Sequence, residues 1–157
     1  MNALLCGAIA GAAGTLALDV STYSDMALRG RQSSNMPAEV VRRMAERAGI
    51  ESLARPDERS DNETKARRSA LGALCGYAVG LGIGTVYGAL RPRLKGIPGP
   101  LMGLVLGAAA MAASDVPAAK LGATDLSQWG VSGWLSDAIP HAIFGLVTAG
   151  VADAVSS

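Results

Sequence analysis

Residues 69–90, SALGALCGYAVGLGIGTVYGAL, form an uncharged run of 22 residues. A helix crosses the hydrocarbon core of a bilayer with about 20 such residues, so the run predicts a membrane-spanning helix. Glycines recur in it at every fourth position, at Gly72, Gly76, Gly80, Gly84 and Gly88. Because this spacing gives one smooth face that another helix can approach closely, we interpret it as a packing surface. The helix would then lie centrally in a bundle, at a dimer seam, or both, and a pore lining is the alternative.

Three other segments share this apolar character. Residues 4–18 and 97–114 carry no charge, and residues 138–152 are apolar apart from His141. We therefore predict an all-α, four-helix transmembrane bundle in one integral membrane domain of residues 1–157, with spans at about 3–26, 69–90, 97–115 and 134–154. A soluble Ala-rich bundle is the alternative, but it would show polar residues on an outward stripe, which is not visible at 70–90 or 97–114.

The composition agrees with this class and argues against several others. Hydrophobic residues make up 50% of the chain and charged residues 17%, and the mean hydropathy is +0.29. A net charge of +1 gives no case for a nucleic-acid partner, and one histidine with two cysteines does not fit the familiar zinc spacings. Nucleophile-elbow, P-loop and His-Glu-x-x-His motifs are missing from the sequence. We expect no enzymatic activity, no metal and no cofactor.

Most of the charge lies in one connection, which predicts the orientation. Residues 28–68 contain ten Lys and Arg, the third connection adds Lys120, and the second contains Arg91, Arg93 and Lys95. The positive-inside rule then places the long basic loop, with the third connection, in the cytoplasm of a multi-pass cell-membrane protein and both termini outside. The three cations at 91–95 lie in the second connection and favour the opposite orientation.

Within the basic loop, residues 37–48 have the pattern of an amphipathic helix that ends at Gly49. Arg42, Arg43 and Arg47 share its polar face. Such a helix could bind the anionic lipids of the inner leaflet, and docking against the bundle's own cytoplasmic end is the alternative. Further on, Ser60 and Glu63 predict a capping box that opens the helix leading into the second span.

An internal repeat relates the first and third spans. Residues 7–19 align without gaps on residues 103–115, with six of thirteen positions identical, including the terminal aspartates Asp19 and Asp115. The second and fourth spans match only loosely, with residues 87–88 against 144–145. The repeat predicts two tandem helical hairpins related by an axis along the membrane normal.

The topology brings four polar residues to one end of the bundle. Asp19 and Asp115 close the first and third spans, whereas Asp137 and His141 begin the fourth. Asp137 and His141 are four residues apart and therefore share a helix face. A carboxylate beside an imidazole at membrane depth suits proton relay or cation binding. The alternative is structural, with aspartates that cap helices, bond across the bundle or meet lipid headgroups.

Three motifs together resemble a known family. They are Gly-x-x-Ala-Gly-x-x-Gly-Thr at 7–15, Gly-Leu-Gly-Ile-Gly-Thr-Val-Tyr-Gly at 80–88, and Asp-x-x-Pro-His-x-x-x-Gly at 137–145. The chain resembles small bacterial polytopic membrane proteins of the YagU-like inner-membrane family, whose function is unknown. The resemblance covers the apolar segments and not the basic loop. It implies a bacterial inner membrane and transfers no catalytic residue.

Two classes of function fit these features. The first is a structural or accessory membrane protein, which contacts anionic lipid through the basic loop and self-associates through its glycine faces. The second is a small transporter or channel-like protein, in which the four polar residues bind or relay a proton or cation.

Overall fold

The computed structural model describes residues 2–94 and 96–155, and within them the regular structure is helical, with no β-strand. The helices are α1 (Ala3–Arg29), α2 (Met36–Ala48), α3 (Glu51–Ala54), α4 (Asn62–Leu90), α5 (Gly99–Leu121) and α6 (Val131–Val155). Four of them, α1, α4, α5 and α6, are long and apolar enough to cross a membrane. The predicted all-α bundle with four such helices is confirmed.

Local signals explain most of the helix ends. The side chain of Asn2 accepts a hydrogen bond from the backbone N–H of Leu4 and caps α1. Gly30 and Gly49 follow α1 and α2 with φ of 66° and 71°, the left-handed conformation that glycine adopts without a Cβ clash. The amphipathic helix predicted at 37–48 is thereby confirmed as α2, one residue longer at its start.

The predicted capping box of α4 is wrong by one residue. Asp61, not Ser60, accepts the hydrogen bond from the backbone N–H of Thr64, at 2.7 Å. A 3₁₀ turn over Asp57–Arg59 precedes the helix, and the hydroxyl of Ser60 donates back into that turn, to the carbonyl of Pro56 at 2.9 Å. Ser60 is therefore engaged before the helix begins.

The chain divides into two compact units. The first comprises Met1–Gln32, Tyr77–Ala113 and Trp129–Ser157, and the second comprises Ser33–Gly76 and Ser114–Gln128. Helices α4 and α5 contribute residues to both. We describe the first unit first, because it contains the glycine contacts between the long helices.

In the first unit, α1 and α4 touch backbone to backbone. A side-chain carbon placed on Gly11 would lie 2.5 Å from the carbonyl oxygen of Gly80, and one placed on Gly7 would lie 2.9 Å from the Cα of Thr85. One placed on Gly84 would lie 2.5 Å from the carbonyl oxygen of Gly7. No residue larger than glycine fits these positions without moving a helix, so the packing interpretation of this part of the ladder is confirmed.

Helices α5 and α6 form a second pair with the same contacts. A side-chain carbon on Gly107 would lie 2.5 Å from the carbonyl oxygen of His141, and one on Gly103 would lie 2.8 Å from the Cα of Leu146. Gly145 in turn abuts the backbone of Gly103 and Gly107. The contacts of Gly7, Gly11 and Gly84 thus have counterparts in the α5–α6 pair, at Gly103, Gly107 and Gly145.

The correspondence fixes the register of the internal repeat. Counterparts are 96 positions apart in α1 and α5, as from Gly7 to Gly103, and 61 positions apart in α4 and α6, as from Gly84 to Gly145. The similarity between residues 7–19 and 103–115 therefore extends to the packing of the helix that follows each. The predicted alignment of residues 87–88 with 144–145 is wrong by four residues, one helical turn.

The ladder of α4 does not act as one surface. Helix α1 is contacted by Gly80, Gly84 and Gly88, whereas Gly72 contacts Pro37 within the second unit. A side-chain carbon placed on Gly76 would meet no described atom of another segment within 4 Å. Only 17% of the apolar window of α4 is buried, against 33–39% for the other three long helices. Of the four long helices, α4 is therefore the least enclosed within the described residues. This does not favour the central position, and the predicted position at a dimer seam stays a prediction.

In the second unit, α2 turns its apolar side inward. Val41 and Ala45 are buried, and Pro37 at the start of α2 contacts α4 at Gly72. Helix α2 thus packs on α4 within its own unit, and the predicted alternative of docking against the cytoplasmic end of the bundle stays a prediction.

Candidate functional site

The first turns of α6 hold the one histidine of the chain beside a carboxylate. The Nδ1 atom of His141 lies 3.3 Å from Oδ2 of Asp137 and 2.8 Å from the backbone carbonyl oxygen of Asp137. Both side chains are largely enclosed, with 14% of His141 and 20% of Asp137 exposed. The predicted pairing of these two residues on one helix face is confirmed.

The hydrogen bond at Nδ1 determines where the ring carries its proton. A carbonyl oxygen only accepts, so Nδ1 must donate to it and therefore bears hydrogen. The other ring nitrogen, Nε2, then has the lone pair whenever the ring is neutral. The Oδ2 atom of Asp137 is buried and receives no hydrogen bond from the part of the chain that the structure describes. The site thus combines an oriented imidazole with a buried carboxylate oxygen.

Local chain features support this turn of α6. Pro140 lacks an N–H, so the carbonyl of Ser136 loses its usual partner within the helix. The hydroxyl of Ser136 donates to the carbonyl of Ser132 at 2.7 Å. Arg29, at the end of α1, donates to the hydroxyl groups of both serines and forms an ion pair with Asp25 at 2.6 Å. The start of α6 is therefore bonded directly to the end of α1.

The other two members of the predicted cluster have partners of their own. Asp19 on α1 accepts a hydrogen bond from the hydroxyl of Tyr77 on α4, at 3.1 Å. Asp115 is buried on α5, where it accepts from the hydroxyl of Ser114, at 3.1 Å, and it belongs to the second unit. No three acidic, cysteine or histidine side chains among residues 2–94 and 96–155 are grouped so as to hold a metal ion. Convergence of all four residues stays a prediction.

A second polar contact, which was not predicted, joins α6 to the 3₁₀ turn at Arg91–Arg93 that follows α4. Arg91 binds Asp153 through two atoms, with Nε–Oδ1 at 2.6 Å and Nη2–Oδ2 at 3.0 Å, and a third donor reaches the carbonyl of Leu94. The buried hydroxyl of Tyr87 lies within electrostatic range of both charges and has no hydrogen-bond partner in the described residues. Since 62 residues separate the two charged residues, no local pattern could have indicated this pair.

The three arginines proposed to contact lipid are engaged within their own unit. Arg42 and Arg43 both bind Glu39, with shortest distances of 2.6 and 2.9 Å, and both lie within 4 Å of Glu46. Arg47 donates to the carbonyl of Lys120 at 3.2 Å. The hydrogen bond from Arg42, reinforced by Arg43, lowers the pKa of Glu39, and the same carboxylate raises the pKa of Arg42.

The residue that organises the connection before α4 is Arg68, which sequence reasoning missed. Its side chain is buried, and it donates to the carbonyl of Leu53 at 2.9 Å, to Asp57 at 2.8 Å, to Ser60 at 3.2 Å and to the carbonyl of Arg55. A buried guanidinium needs such partners because an unpaired charge in the protein interior is costly. We call this set of bonds the Arg68 clasp.

No protein-family model, curated protein or solved structure matches this chain. The resemblance to the YagU-like family therefore stays a prediction.

Proposed function

We propose that this chain is a multi-pass membrane protein with a structural or accessory role, in which four helices anchor a folded module formed by residues 30–61. The supporting observation is the module itself. Connections between neighbouring helices in a bundle usually need only about 2–8 residues. Here the connection contains α2, α3 and a 3₁₀ turn, and the Arg68 clasp holds its second half onto α4. A connection built this way supports a role in interaction rather than in linkage alone.

We propose a cytoplasmic location for this module, on the strength of the ten cations in residues 28–68. The test is labelling of single cysteines in intact cells with a membrane-impermeant maleimide, after Cys6 and Cys75 have been replaced by serine. A cysteine at Ser34 should react only after permeabilisation, whereas one at Asn2 should react in intact cells. The reverse pattern would contradict the proposed orientation. Reaction of both cysteines in intact cells would contradict the proposal that residue 2 and the loop lie on opposite sides of the membrane.

Contact with anionic lipid through Arg42, Arg43 and Arg47 is part of the same proposal. The full chain is reconstituted in nanodiscs with and without anionic phospholipid, and its thermal midpoint is measured. We expect anionic lipid to raise the midpoint of the wild type, and replacement of the three arginines by glutamine to remove that gain. The matched control replaces three exposed cations of the same basic loop, Arg55, Arg59 and Lys65. Equal lipid dependence in both variants would contradict the assigned contact.

The partner that the glycine ladder of α4 suggests is a second copy of this chain. Gly76 and Gly82 have no described neighbour within 4 Å, so they remain open to a second copy, whereas Gly84 is already covered by α1. Cys75 is exposed beside Gly76, and Cys6 is buried. Mild oxidation in membranes should therefore yield a disulfide-linked dimer through Cys75. Loss of that dimer in Cys6→Ser but not in Cys75→Ser would contradict this surface.

The second candidate is proton or cation transport, and the buried carboxylate oxygen of Asp137 beside His141 favours it. The chain would be reconstituted into vesicles that contain a pH-sensitive dye, and the dye response to an external acid pulse would be recorded. Transport predicts flux above that of empty vesicles, which Asp137→Asn or His141→Ala abolishes while helix content stays unchanged. If wild-type vesicles leak no faster than empty ones, transport fails and the accessory role stands alone. Enzymatic activity forms no part of either candidate.

A further inference from the structure

We propose that His141 is a proton-binding residue which gains and loses its proton at Nε2 while Nδ1 keeps its hydrogen throughout. The inference deepens the second candidate function by naming the atom that would exchange the proton. It rests on the geometry of α6 and stands whether or not the proton is carried across a membrane.

The first step is the backbone anchor of the ring. Nδ1 lies 2.8 Å from the carbonyl oxygen of Asp137, one helical turn back. A carbonyl has two lone pairs, so this oxygen can accept from the ring as well as from the helix backbone. The bond holds the ring in one orientation and occupies Nδ1 as a donor. A proton can then be gained or lost at Nε2 while the bond from Nδ1 to this carbonyl stays intact.

The second step is that helix packing does not require either side chain. Across the two helix pairs, the counterparts of Asp137 and His141 are Gly76 and Gly80, which lie 61 positions earlier. Gly107 contacts His141 through the backbone carbonyl, as Gly11 contacts Gly80. The α1–α4 pair makes the same contact with no side chain at this position. The imidazole and the carboxylate of the α5–α6 pair are therefore additions to a packing motif that is complete without them.

The third step is the charge that surrounds a doubly protonated ring. The carboxylate of Asp137, with Oδ2 3.3 Å from Nδ1, balances the positive charge that the ring acquires when Nε2 binds a proton. The neighbouring helices α1 and α5 carry the remaining titratable groups. Asp25 and Arg29 on α1 are paired with each other, and Asp19 is bonded to Tyr77. Helix α5 carries Asp115 and Lys120.

The test uses the fact that the chain has one histidine. Full-length protein labelled with ¹⁵N-histidine in bilayers gives one ring, whose two nitrogen signals are followed by solid-state NMR from pH 5 to pH 9. We expect Nδ1 to be protonated at every pH, and Nε2 to change from the lone-pair form at the alkaline end to the protonated form at the acid end. Hydrogen on Nε2 and a lone pair on Nδ1 at the alkaline end would overturn the proposal, as would a ring that stays in one form throughout.

A matched variant separates the backbone anchor from the carboxylate. Asp137→Asn removes the charge and keeps the carbonyl, so Nδ1 should remain the protonated nitrogen. If the neutral ring of this variant instead carries its hydrogen on Nε2, the carbonyl is not what holds the proton on Nδ1. Flux measurements on the same samples are independent of this result. If Nδ1 stays protonated and Nε2 titrates, but no flux is seen, the transport candidate fails and the proton site stands. If flux is seen but Nε2 carries the hydrogen of the neutral ring, the proposed site fails and transport stands.

Discussion

Replacement of Gly84 by alanine tests whether the helices are held together by backbone contact. A side-chain carbon there would lie 2.5 Å from the carbonyl oxygen of Gly7 and 2.6 Å from the backbone nitrogen of Gly11, whereas ordinary contact begins at 3.4 Å. Both atoms belong to backbone, which cannot rotate away, so α1 and α4 must separate by roughly 0.9 Å. Overpacking of this kind costs about 1–3 kcal/mol.

The same helix offers a matched control at Gly82, which has no described neighbour within 4 Å. Alanine is favoured over glycine inside a helix by about 0.5–1 kcal/mol, so Gly82→Ala should be neutral or stabilising. The two variants should then differ by about 1.5–4 kcal/mol in the free energy of unfolding.

Unfolding of the full chain in mixed detergent micelles, followed by circular dichroism, measures this difference. The internal repeat supplies a second comparison, because Gly145 is the counterpart of Gly84 and Gly145→Ala should behave as Gly84→Ala does. A side-chain carbon on Gly150 would meet nothing described within 4 Å, so Gly150→Ala is the matched control in α6. Equal stability of Gly84→Ala and Gly82→Ala would refute the reasoning, since it would show that α1 and α4 can separate without cost.

Three further predictions concern the polar contacts. Arg68→Leu removes the guanidinium donor from the carbonyls of Leu53 and Arg55 and should destabilise the second unit by about 1–3 kcal/mol; hydrogen exchange as slow as in the wild type near residues 53–60 would contradict the clasp. The pKa of Glu39 is lowered from its ordinary value of 4.5, so its ion pairs stabilise α2 above that pH, and the stability is lost as the pH falls through the lowered value. The protection factors of α2 amides, which compare measured exchange with the intrinsic rate at the same pH, should therefore fall from pH 6 to pH 3 more in the wild type than in Glu39→Gln, and an equal fall in both would exclude this residue as the cause. For the pair of Arg91 and Asp153, Asp153→Asn should lower the thermal midpoint, and exchanging the two charges should partly restore it; failure to recover would show that the pair depends on its fixed orientation.

The sequence was sufficient to predict where the long helices lie along the chain, but not which segments pack against each of them. Uncharged runs of bilayer length predict long helices because backbone groups in hydrocarbon must bond within the helix. Glycine spacing likewise predicts which face is smooth, but it does not say what covers that face. Gly72, Gly76 and Gly84 are equivalent by spacing, yet one meets Pro37, one meets nothing described and one meets α1.

The wrong alignment of the repeat and the wrong N-cap of α4 both arose where the local sequence offers two nearly equivalent choices. Glycine at every fourth residue makes alignments that differ by one turn nearly equivalent, which is why the repeat was placed four residues away from its structural register. Ser60 and Asp61 both suit the position before a helix, and only the 3₁₀ turn at Asp57–Arg59 decides between them. In the candidate site, the four-residue spacing of Asp137 and His141 predicted their contact, whereas the ring's backbone anchor requires its rotamer, which sequence does not specify.

The Arg68 clasp also fixes the start of the uncharged run of α4 relative to the connection before it. Arg68 is the last charged residue before the uncharged run that starts at Ser69, and the helix continues through both without a break. Sliding α4 lengthwise by a single residue would displace the guanidinium by about 1.5 Å and break bonds of 2.8 and 2.9 Å to Asp57 and Leu53. The clasp thus fixes the register of α4 against the folded connection that precedes it, so any lengthwise movement of this helix must carry that connection with it.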